Sequence, residues 1–362
     1  MRKILIALLM IICSTLCNFS LAAAKEGTLI KIGDISFGNG LPVGLASDKI
    51  GNIYIADFFK NQILKINRDK TTVVIAGDGK LGYRDGSGKI ARFSGPSAIA
   101  IDDGGNVIVA DSGNNLIRKI SKDGIVSTVA GEFEWYKDPS VQDRNGARDG
   151  AATKARFNYP QGVAVDSRGN IYVSDSQSQR IRLISPKGIV STLSGISTWY
   201  RIGYVDGTAS NAVFYYPEGL AFGSDGFLYV ADNNAIRKIA PDGSVSTLAG
   251  GQRARIAASK NEPFKYTGGN IDGAPQIAEF AAPVALAIDN QGNIYVADEN
   301  NKAIRKVAPD GNTTTLLDLS KYYPADTNPP TARSGAPIGI TMLPDGSLVI
   351  CVPGGIYKYS VN

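Results

Sequence analysis

The chain has 362 residues, of which 43% are hydrophobic and 41 are glycine, and it contains no histidine. Its formal charge of +5 arises from basic and acidic residues scattered along the sequence, unlike the concentrated basic surface of a nucleic-acid-binding protein. The lack of histidine excludes catalysis by a histidine acid or base and metal sites built on imidazole ligands.

The first 24 residues have the composition of a secretory signal peptide. Two basic residues precede an apolar run over residues 4–12, and three alanines at 22–24 form a small-residue cleavage site. The apolar run is too short to span a membrane as a helix. We therefore expect residues 1–24 to be removed, which leaves a secreted or periplasmic protein of residues 25–362 without a membrane span.

Six copies of one repeat make up most of the remaining chain. Each copy starts at a proline, and in the first five copies an aspartate follows fifteen residues later. The prolines are Pro42, Pro96, Pro160, Pro217, Pro283 and Pro337. The aspartates are Asp57, Asp111, Asp175, Asp232 and Asp298, and the sixth copy has Val352 there. Such self-similarity indicates a repeat architecture, which we interpret as a single domain.

Within a copy, four short β-prone stretches alternate with turn residues. The third copy shows them at residues 163–166, 171–174, 181–184 and 189–193. Four such strands in each copy, with no helical periodicity between copies, are typical of a propeller blade. We therefore predict an all-β fold, a six-bladed β-propeller of four-stranded blades.

The two ends of the chain predict how this ring closes. The sixth copy stops one strand short, whereas residues 28–32 match the pattern of a fourth strand. We predict that this N-terminal strand completes the last blade and removes the open sheet edges. Small residues such as Gly44, Ala98 and Gly162 recur in the first strand, and we expect them to line a channel too narrow for a large cavity.

The sequence G-N-I-Y-V-A-D, followed in the same copy by I-R-K-I, resembles the NHL-repeat family of β-propellers over residues 28–362. This resemblance implies the propeller fold but leaves function open, because NHL propellers serve as lyases, sensor domains, RNA-binding modules and protein-interaction scaffolds. The lyases of this kind use histidine, which this chain lacks. Calcium-dependent lactonases need only oxygen ligands, so that class stays open.

The repeated charged residues are interpreted as structural. A fivefold aspartate at the end of the second strand suits a role in fixing the turn to the third strand, by accepting its backbone N–H groups. We expect the arginines of the third strand to extend between blades toward these aspartates or toward carbonyls, in preference to forming a basic binding stripe. They are Arg118, Arg182, Arg237 and Arg305.

A second motif, D-G-x4-A-x-F-x2-P, occurs in four of the connections between copies. We predict an Asp-Gly turn and then a helical turn that places the alanine and the phenylalanine between neighbouring blades. The four copies begin at Asp85, Asp149, Asp206 and Asp272. Their recurrence favours a structural role here as well.

The connections between copies also contain insertions of unequal length. In an antiparallel blade they emerge on the same face as the turn between the second and third strands, and we call this face the loop face. Aromatic rings clustered there can stack on sugars or peptides, and arginines can bind acidic groups. The candidate ligand-binding residues are Trp135, Tyr136, Trp199, Tyr200, Arg201, Tyr204, Arg253, Phe264 and Tyr266. The alternative is that these aromatics only anchor long loops.

These features favour an exported, non-catalytic propeller that binds a glycan or an extended protein segment on the loop face, as a monomer and without nucleic acid. A ring-shaped scaffold with protein partners fits the same residues. The alternative from another class is a calcium-dependent hydrolase resembling the lactonases. No unrepeated carboxylate cluster marks its site, so we assign no catalytic residue, metal ligand or cofactor, although distant loops could bring together Glu132, Glu134 and Glu218.

Overall fold

The structure is a computed structural model that describes residues 27–32, 40–137, 146–196, 204–251, 268–322 and 335–361. Its strands form six antiparallel sheets, which are the six predicted blades. The first strands of successive blades contact one another in cyclic order, and the first strand of the last blade contacts that of the first. The blades therefore form a closed ring around a central channel.

The strands follow the repeat closely. The first described strand is β1 (Leu29–Lys31), and blade 1 follows with β2 (Pro42–Ser47), β3 (Ile53–Asp57), β4 (Gln62–Ile66) and β5 (Thr72–Ala76). Blade 2 contains β6 (Gly86–Ser87), β7 (Pro96–Ile101), β8 (Val107–Asp111), β9 (Leu116–Ile120) and β10 (Ile125–Ala130), and blade 3 contains β11 (Gly150–Ala151), β12 (Pro160–Val165), β13 (Ile171–Asp175), β14 (Arg180–Ile184) and β15 (Ile189–Ser194). Blade 4 contains β16 (Pro217–Phe222), β17 (Leu228–Asp232), β18 (Ala235–Ile239) and β19 (Val245–Gly250), blade 5 contains β20 (Pro283–Ile288), β21 (Ile294–Asp298), β22 (Ala303–Val307) and β23 (Thr313–Asp318), and blade 6 contains β24 (Gly339–Met342), β25 (Leu348–Val352) and β26 (Gly355–Tyr359). Short 3-10 helices occur at Ser112–Asn114, Trp135–Lys137, Ser176–Ser178 and Leu319–Lys321.

The second strand of each blade is buried along its whole length. These strands read IYIAD, VIVAD, IYVSD, LYVAD, IYVAD and LVICV, which are runs of β-branched and aromatic residues. Neighbouring blades cover both faces of each sheet, so the strands are continuously apolar rather than alternating. The main core therefore lies between blades.

The ring closes as the sequence predicts. Strand β1 pairs antiparallel with β26, placing Leu29 opposite Tyr359 and Lys31 opposite Tyr357. The last blade is thus built from both ends of the described chain. This pairing gives β26 a hydrogen-bonded neighbour and leaves no gap in the ring.

The Asp-Gly motif also behaves as predicted, and it does something more. After the Asp-Gly turn, the amide N–H of Ala91 donates to the carbonyl of Ser87 in one helical turn. The next motif residue, Phe93, is completely buried in a cluster with Ala56 of blade 1 and Val109 of blade 2. The glycines of the motif pair with the outermost strand of the following blade, for example Gly86 with Val126. Each motif therefore plugs a gap between blades and caps the outer edge of one blade.

Candidate functional site

A buried charge network accounts for the repeated arginines. The guanidinium of Arg118 donates to the carboxylates of Asp111 and Asp85, each at 2.6 Å. It also donates to the carbonyl oxygens of Arg92 and Arg84, at 3.1 and 2.9 Å. Its carbon Cζ lies 5.1 Å from the ring centroid of Phe93, so the cation is stacked as well as paired.

The same network recurs in blades 3, 4 and 5. The inner aspartate bonds to the arginine at 2.8 Å in Asp175–Arg182, 2.8 Å in Asp232–Arg237 and 2.9 Å in Asp298–Arg305. The aspartate of the Asp-Gly motif also accepts from a threonine of the blade's outer strand, as Asp85 does from the amide of Thr128 at 3.0 Å. We call each set of arginine, two aspartates and threonine the lattice of that blade.

The lattice arginines cannot contact a ligand, because the exposed fraction of all four side chains is 0%. The structure therefore supports the structural role expected from the sequence. Burial raises the pKa of Asp111 to about 6 and that of Asp298 to about 6, against the opposing effect of their arginines. Desolvation is thus the larger influence on these carboxyls, and the charges persist because each is surrounded by hydrogen-bond partners.

One detail of the aspartate prediction is corrected. The backbone N–H that Asp111 accepts, at 2.7 Å, belongs to Ser94, two residues before the proline of the first strand. The turn to the third strand contributes the side-chain amide of Asn114 instead. Among the described residues, the carboxylate of Asp57 is the only one of the five that accepts a backbone N–H from that turn, the N–H of Lys60. The aspartate at the end of the second strand therefore fixes the backbone that leads into the first strand of its blade.

The central channel opens at the loop face into a cavity of about 450 Å³. Small residues of the first strands line it, as expected, and at Gly162 an added Cβ would lie 2.1 Å from the carbonyl oxygen of Glu218. The expectation of a channel too narrow for a large cavity does not hold at this mouth. A volume of this size lies in the range of small-ligand sites, about 300–1,000 Å³.

The wall of this cavity has a polar side and an apolar side. Immediately after the initial proline, blades 2, 3 and 4 carry Ser97, Gln161 and Glu218, whereas blades 1 and 5 carry Val43 and Val284. Blade 6 adds an isoleucine after its proline, and the turn that follows β21 adds a second carboxylate, Glu299. Among the described residues that line the cavity there is no lysine or arginine.

Aromatic rings surround the cavity mouth. Phe58 and Phe59 come from the turn after β3, with ring centroids 5.5 Å apart, and Phe59 is 61% exposed. Tyr159 enters from the connection before blade 3 with φ of 56°, a left-handed backbone that is uncommon for a bulky residue. Burial raises the pKa of Tyr159, and the nearby charge of Glu218 adds to the effect. Tyr159 and Glu218 therefore lie together at the mouth.

Sequence reasoning selected Glu218 only as one of three carboxylates and missed the other mouth residues. The available signal was variation at one position of an otherwise constant repeat, directly after the proline. Glu132 and Glu134 are not at the mouth among the described cavity residues. Glu132 pairs with Arg148 and Arg156, and Glu134 with Lys137.

Of the nine candidate ligand-binding residues, the structure describes three. Tyr136 lies in the 3-10 helix Trp135–Lys137 and is 53% exposed, and Trp135 belongs to the same helix. Tyr204 packs on the guanidinium of Arg237 at 5.5 Å and accepts the amide N–H of Asn234 at 2.7 Å. These contacts hold Tyr204 against blade 4, just before that blade's Asp-Gly motif. Trp199, Tyr200, Arg201, Arg253, Phe264 and Tyr266 lie outside the described residues.

Within the described ranges, no group of three or more aspartates, glutamates and cysteines is arranged to hold a metal ion. Over the same residues, no helix is long and apolar enough to cross a membrane.

Comparison with protein families finds matches along much of the propeller. The Teneurin NHL domain family matches residues 136–202 and 199–262, and the NHL repeat family matches residues 93–120 and 280–307. Among curated proteins, Teneurin-3 of Danio rerio is 28% identical over 235 residues, which is 57% of this chain. The match spans only 8% of Teneurin-3, so the chain corresponds to one small part of that protein.

Solved structures share the fold at low sequence identity. A gluconolactonase from Xanthomonas campestris superposes with a TM-score of 0.58 and 16% identity, over 95% of this chain and 93% of its own. A virginiamycin B lyase from Staphylococcus aureus superposes with a TM-score of 0.54 and 17% identity, over 93% of this chain and 100% of its own. At this identity the likeness establishes architecture and not activity.

Proposed function

The chain is an NHL-repeat β-propeller, and we propose that it is an exported, non-catalytic binding protein that recognises an extended protein segment on its loop face. One observation carries this proposal. The channel opens at that face into a cavity of about 450 Å³ whose mouth is framed by Tyr159, Phe58 and Phe59.

The two-sided wall of the cavity favours a peptide over a glycan. The hydroxyl groups of a sugar ring point outward around its edge, and those directed toward Val43 and Val284 would have no hydrogen-bond partners. An amino-acid side chain can place its apolar part against the valines while a polar end meets Gln161 or Glu218. The aromatic rings at the mouth then contact the peptide backbone and its neighbouring side chains.

The sequence predicts that the insertions between copies lie on the same loop face. They carry the candidate residues chosen from the sequence, including Trp135 with Tyr136 and Trp199 with Tyr200. We propose that these residues bind the flanks of a segment whose central side chain enters the cavity. Export follows from the predicted signal peptide and remains part of the proposal.

A selection from a random dodecapeptide library displayed on phage tests this function with the mature protein as bait. Enriched peptides should bind at least about tenfold more weakly to Tyr159→Gly, because the variant removes a mouth ring but keeps the backbone conformation that Gly95 adopts in the preceding connection. Glu218→Gln should weaken those peptides that contain a basic residue.

The matched control is Lys187→Ala, an exposed change in a turn on the opposite face. It should leave the affinity unchanged. Peptides that bind equally well to wild type and Tyr159→Gly, or a selection that enriches nothing, would contradict the proposal. A panel of oligosaccharides that shifts the tryptophan fluorescence, with no peptide bound, would favour the glycan alternative instead.

A further inference from the structure

Blades 1 and 6 differ from the others at their outer edges. In blades 2 and 3 the Asp-Gly motif adds a short fifth strand, and in blades 4 and 5 single bridges from Gly207 and Gly273 do the same. No such cap lies on β5 of blade 1 among the described residues. Among the described residues, the outer edge of this blade is therefore unpaired.

The length of the connection explains the missing cap. In the four motifs the aspartate stands eleven residues before the proline of the next blade, as in Asp85 and Pro96. The corresponding position before Pro42 is Lys31, which already belongs to β1 in blade 6. The two residues at the positions of Asp85 and Gly86 in the capped blades, Lys31 and Ile32, are therefore already bound to β26.

The side chains of blade 1 at the position of the missing cap differ from those of the capped blades. Leu64 of β4 occupies the position of Arg118, and Val74 of β5 occupies that of Thr128. The charged and hydroxyl groups that hold the motif aspartate elsewhere are thus absent. An apolar, β-branched surface has replaced a polar one.

The unpaired backbone groups of β5 can be identified from the capped blades. Val245 of blade 4, which corresponds to Thr72, exchanges both hydrogen bonds with Gly207 at 2.8 and 3.0 Å. Thr128 of blade 2, which corresponds to Val74, donates its amide N–H to Asp85. In β5 the amides of Thr72 and Val74 therefore point outward, and no partner for them occurs among the described residues. The side chains of Val73 and Val74 are 44% and 50% exposed.

Open edges are usually guarded by charge or shortness, and β5 has neither guard. Residues 71–75 read TTVVI and contain no charged residue and no proline. The other uncapped edge, β1, has only three residues and ends in Lys31. The contrast singles out β5 as the edge that accepts another strand.

We propose that β5 pairs antiparallel with β5 of a second copy of this chain, with the two-fold axis passing beside Val73. In that register Thr72 of each copy lies opposite Val74 of the other, and each such pair exchanges both of its N–H···O bonds. Every outward group identified above then has a partner. The edge is therefore self-complementary, as the interface of a two-fold dimer requires.

The charges at the two ends of the strand fit the same register. Arg68 precedes β5 and Asp78 follows it, so antiparallel pairing sets Arg68 of one copy opposite Asp78 of the other. Asp78 also holds Arg92 at 2.8 Å within its own chain, and Lys70 adds a further positive charge near the first end. Parallel pairing would instead bring like charges together.

This dimer does not depend on a ligand at the loop face, and it replaces the monomer expected from the sequence alone. A strand pair buries less surface than the roughly 1,200–2,000 Å² of a stable interface, so the dimer should depend on concentration. Sedimentation velocity of the mature protein should show a dimer that increases between about 1 and 100 μM, the range of a weak interface.

Val73→Lys should keep the protein monomeric over that range, because two ammonium groups would face each other across the axis. The matched control is Ile189→Lys, which changes a similarly exposed residue (50%, against 44% for Val73) on the capped strand β15. That variant should dimerise like the wild type. A wild-type protein that sediments as a monomer throughout, or a dimer that persists in Val73→Lys, would overturn the proposal.

A cysteine pair tests the register. Residues opposite each other in a non-hydrogen-bonded pair have Cα atoms about 4.5 Å apart, which permits a disulfide. Val73→Cys should therefore form a disulfide-linked dimer under mild oxidation. Ser127→Cys, at the same position of the capped strand β10, should not, and the native Cys351 is buried. Equal cross-linking of both variants would contradict this register.

Discussion

Blades 2 to 5 each hold a buried arginine between two aspartates, whereas blades 1 and 6 have no such arginine among the described residues. In blade 1 the arginine is replaced by Leu64 and the motif aspartate is missing, but the inner aspartate, Asp57, remains. In blade 6 Val352 occupies the position of the inner aspartate and Tyr357 occupies that of the arginine. The ring therefore lacks the complete lattice in the two blades where the chain ends meet, although blade 1 keeps the inner aspartate.

This difference shows what each sector depends on. A lattice arginine is supported by charges and carbonyls from the preceding connection, so its blade is tied to the chain before it. The closing sector has no such tie and depends on the pairing of β1 with β26. The following changes should affect blades 2 to 5 differently from the closing sector, blades 1 and 6. The first change removes β1, on which the closing sector depends.

A mature chain that begins at Gly38 instead of Lys25 should lose the most stability. Without β1, the strand β26 becomes an open edge, and the backbone hydrogen bonds of that pairing are lost. At about 1 kcal/mol for each bond, the free energy of unfolding should fall by several kcal/mol. Thermal unfolding measures this, with a chain that begins at Gly27 as control. Equal melting temperatures of the two chains would disprove closure by β1.

Replacing a lattice arginine should have the next largest effect. Arg237→Met leaves Asp232 buried without its cation, and the free energy of unfolding should fall by about 3–5 kcal/mol. Lys238→Met is the control, because Lys238 is adjacent in sequence but pairs with Asp225 at the surface, at 3.4 Å, and should cost less than about 1 kcal/mol. Denaturant unfolding compares the two variants, and similar losses in both would refute a special role for the lattice.

The lattice should also give the ring a characteristic pH dependence. Burial raises the pKa of Asp298 to about 6, so the folded chain binds this proton more strongly than the unfolded chain, whose carboxyl has an ordinary pKa of about 3.9. Stability from this group is thus complete below about pH 4 and is lost as the pH rises through about 6.

Asp298→Asn should remove its share of that slope, about 1–3 kcal/mol between pH 4 and 7. Carboxyls whose pKa is lowered, such as Asp48 and Asp166, act with the opposite sign and mainly below pH 4. Denaturant unfolding at pH 4.5, 5.5 and 6.5 gives the slope of the unfolding free energy against pH for the wild type and for Asp298→Asn. Parallel curves for wild type and Asp298→Asn would count against a titrating lattice.

The smallest expected change in stability comes from replacing the inner aspartate of blade 1, compared with the inner aspartate of a blade that has the lattice. Oxygen Oδ2 of Asp57 is buried and has no hydrogen-bond partner, whereas Oδ2 of Asp175 bonds to Arg182. Asp57→Asn should therefore change stability by less than about 1 kcal/mol, in either direction, because Oδ1 keeps its two amide donors. Asp175→Asn should lower it by about 1–3 kcal/mol. A loss in Asp57→Asn as large as in Asp175→Asn would show that the two aspartates are equivalent.

The sequence predicts what recurs and misses what occurs once. The six copies of four β-prone stretches predicted the ring, and comparison of residues 28–32 with the repeat predicted its closure. The fivefold aspartate and the four arginines predicted a buried charge network, because each repeat faces the same packing problem. The cavity at the loop face was missed, since its wall is formed by single residues of different blades, such as Gln161 and Glu218. Only ring closure brings these residues together, and no spacing in the sequence indicates their distance.

The first residue after each proline faces the channel, and variation at this position was the signal for it in the sequence. Its neighbour, the small residue such as Gly162, was recognised because crowding at the axis restricts its size. The adjacent position varies from valine to glutamate, and variation in a repeat looks like tolerance until the ring is formed. At the mouth of the channel, that variation creates the polar and apolar sides.

The central claim is that the lattice serves stability and the channel mouth serves binding. It is tested most directly by measuring melting temperature and peptide affinity side by side in Arg237→Met and Tyr159→Gly, with a peptide selected on the wild type. Arg237→Met should melt at a lower temperature and bind with unchanged affinity while folded, whereas Tyr159→Gly should melt near the wild type and bind at least about tenfold more weakly. Loss of affinity in folded Arg237→Met, with full affinity in Tyr159→Gly, would contradict the claim.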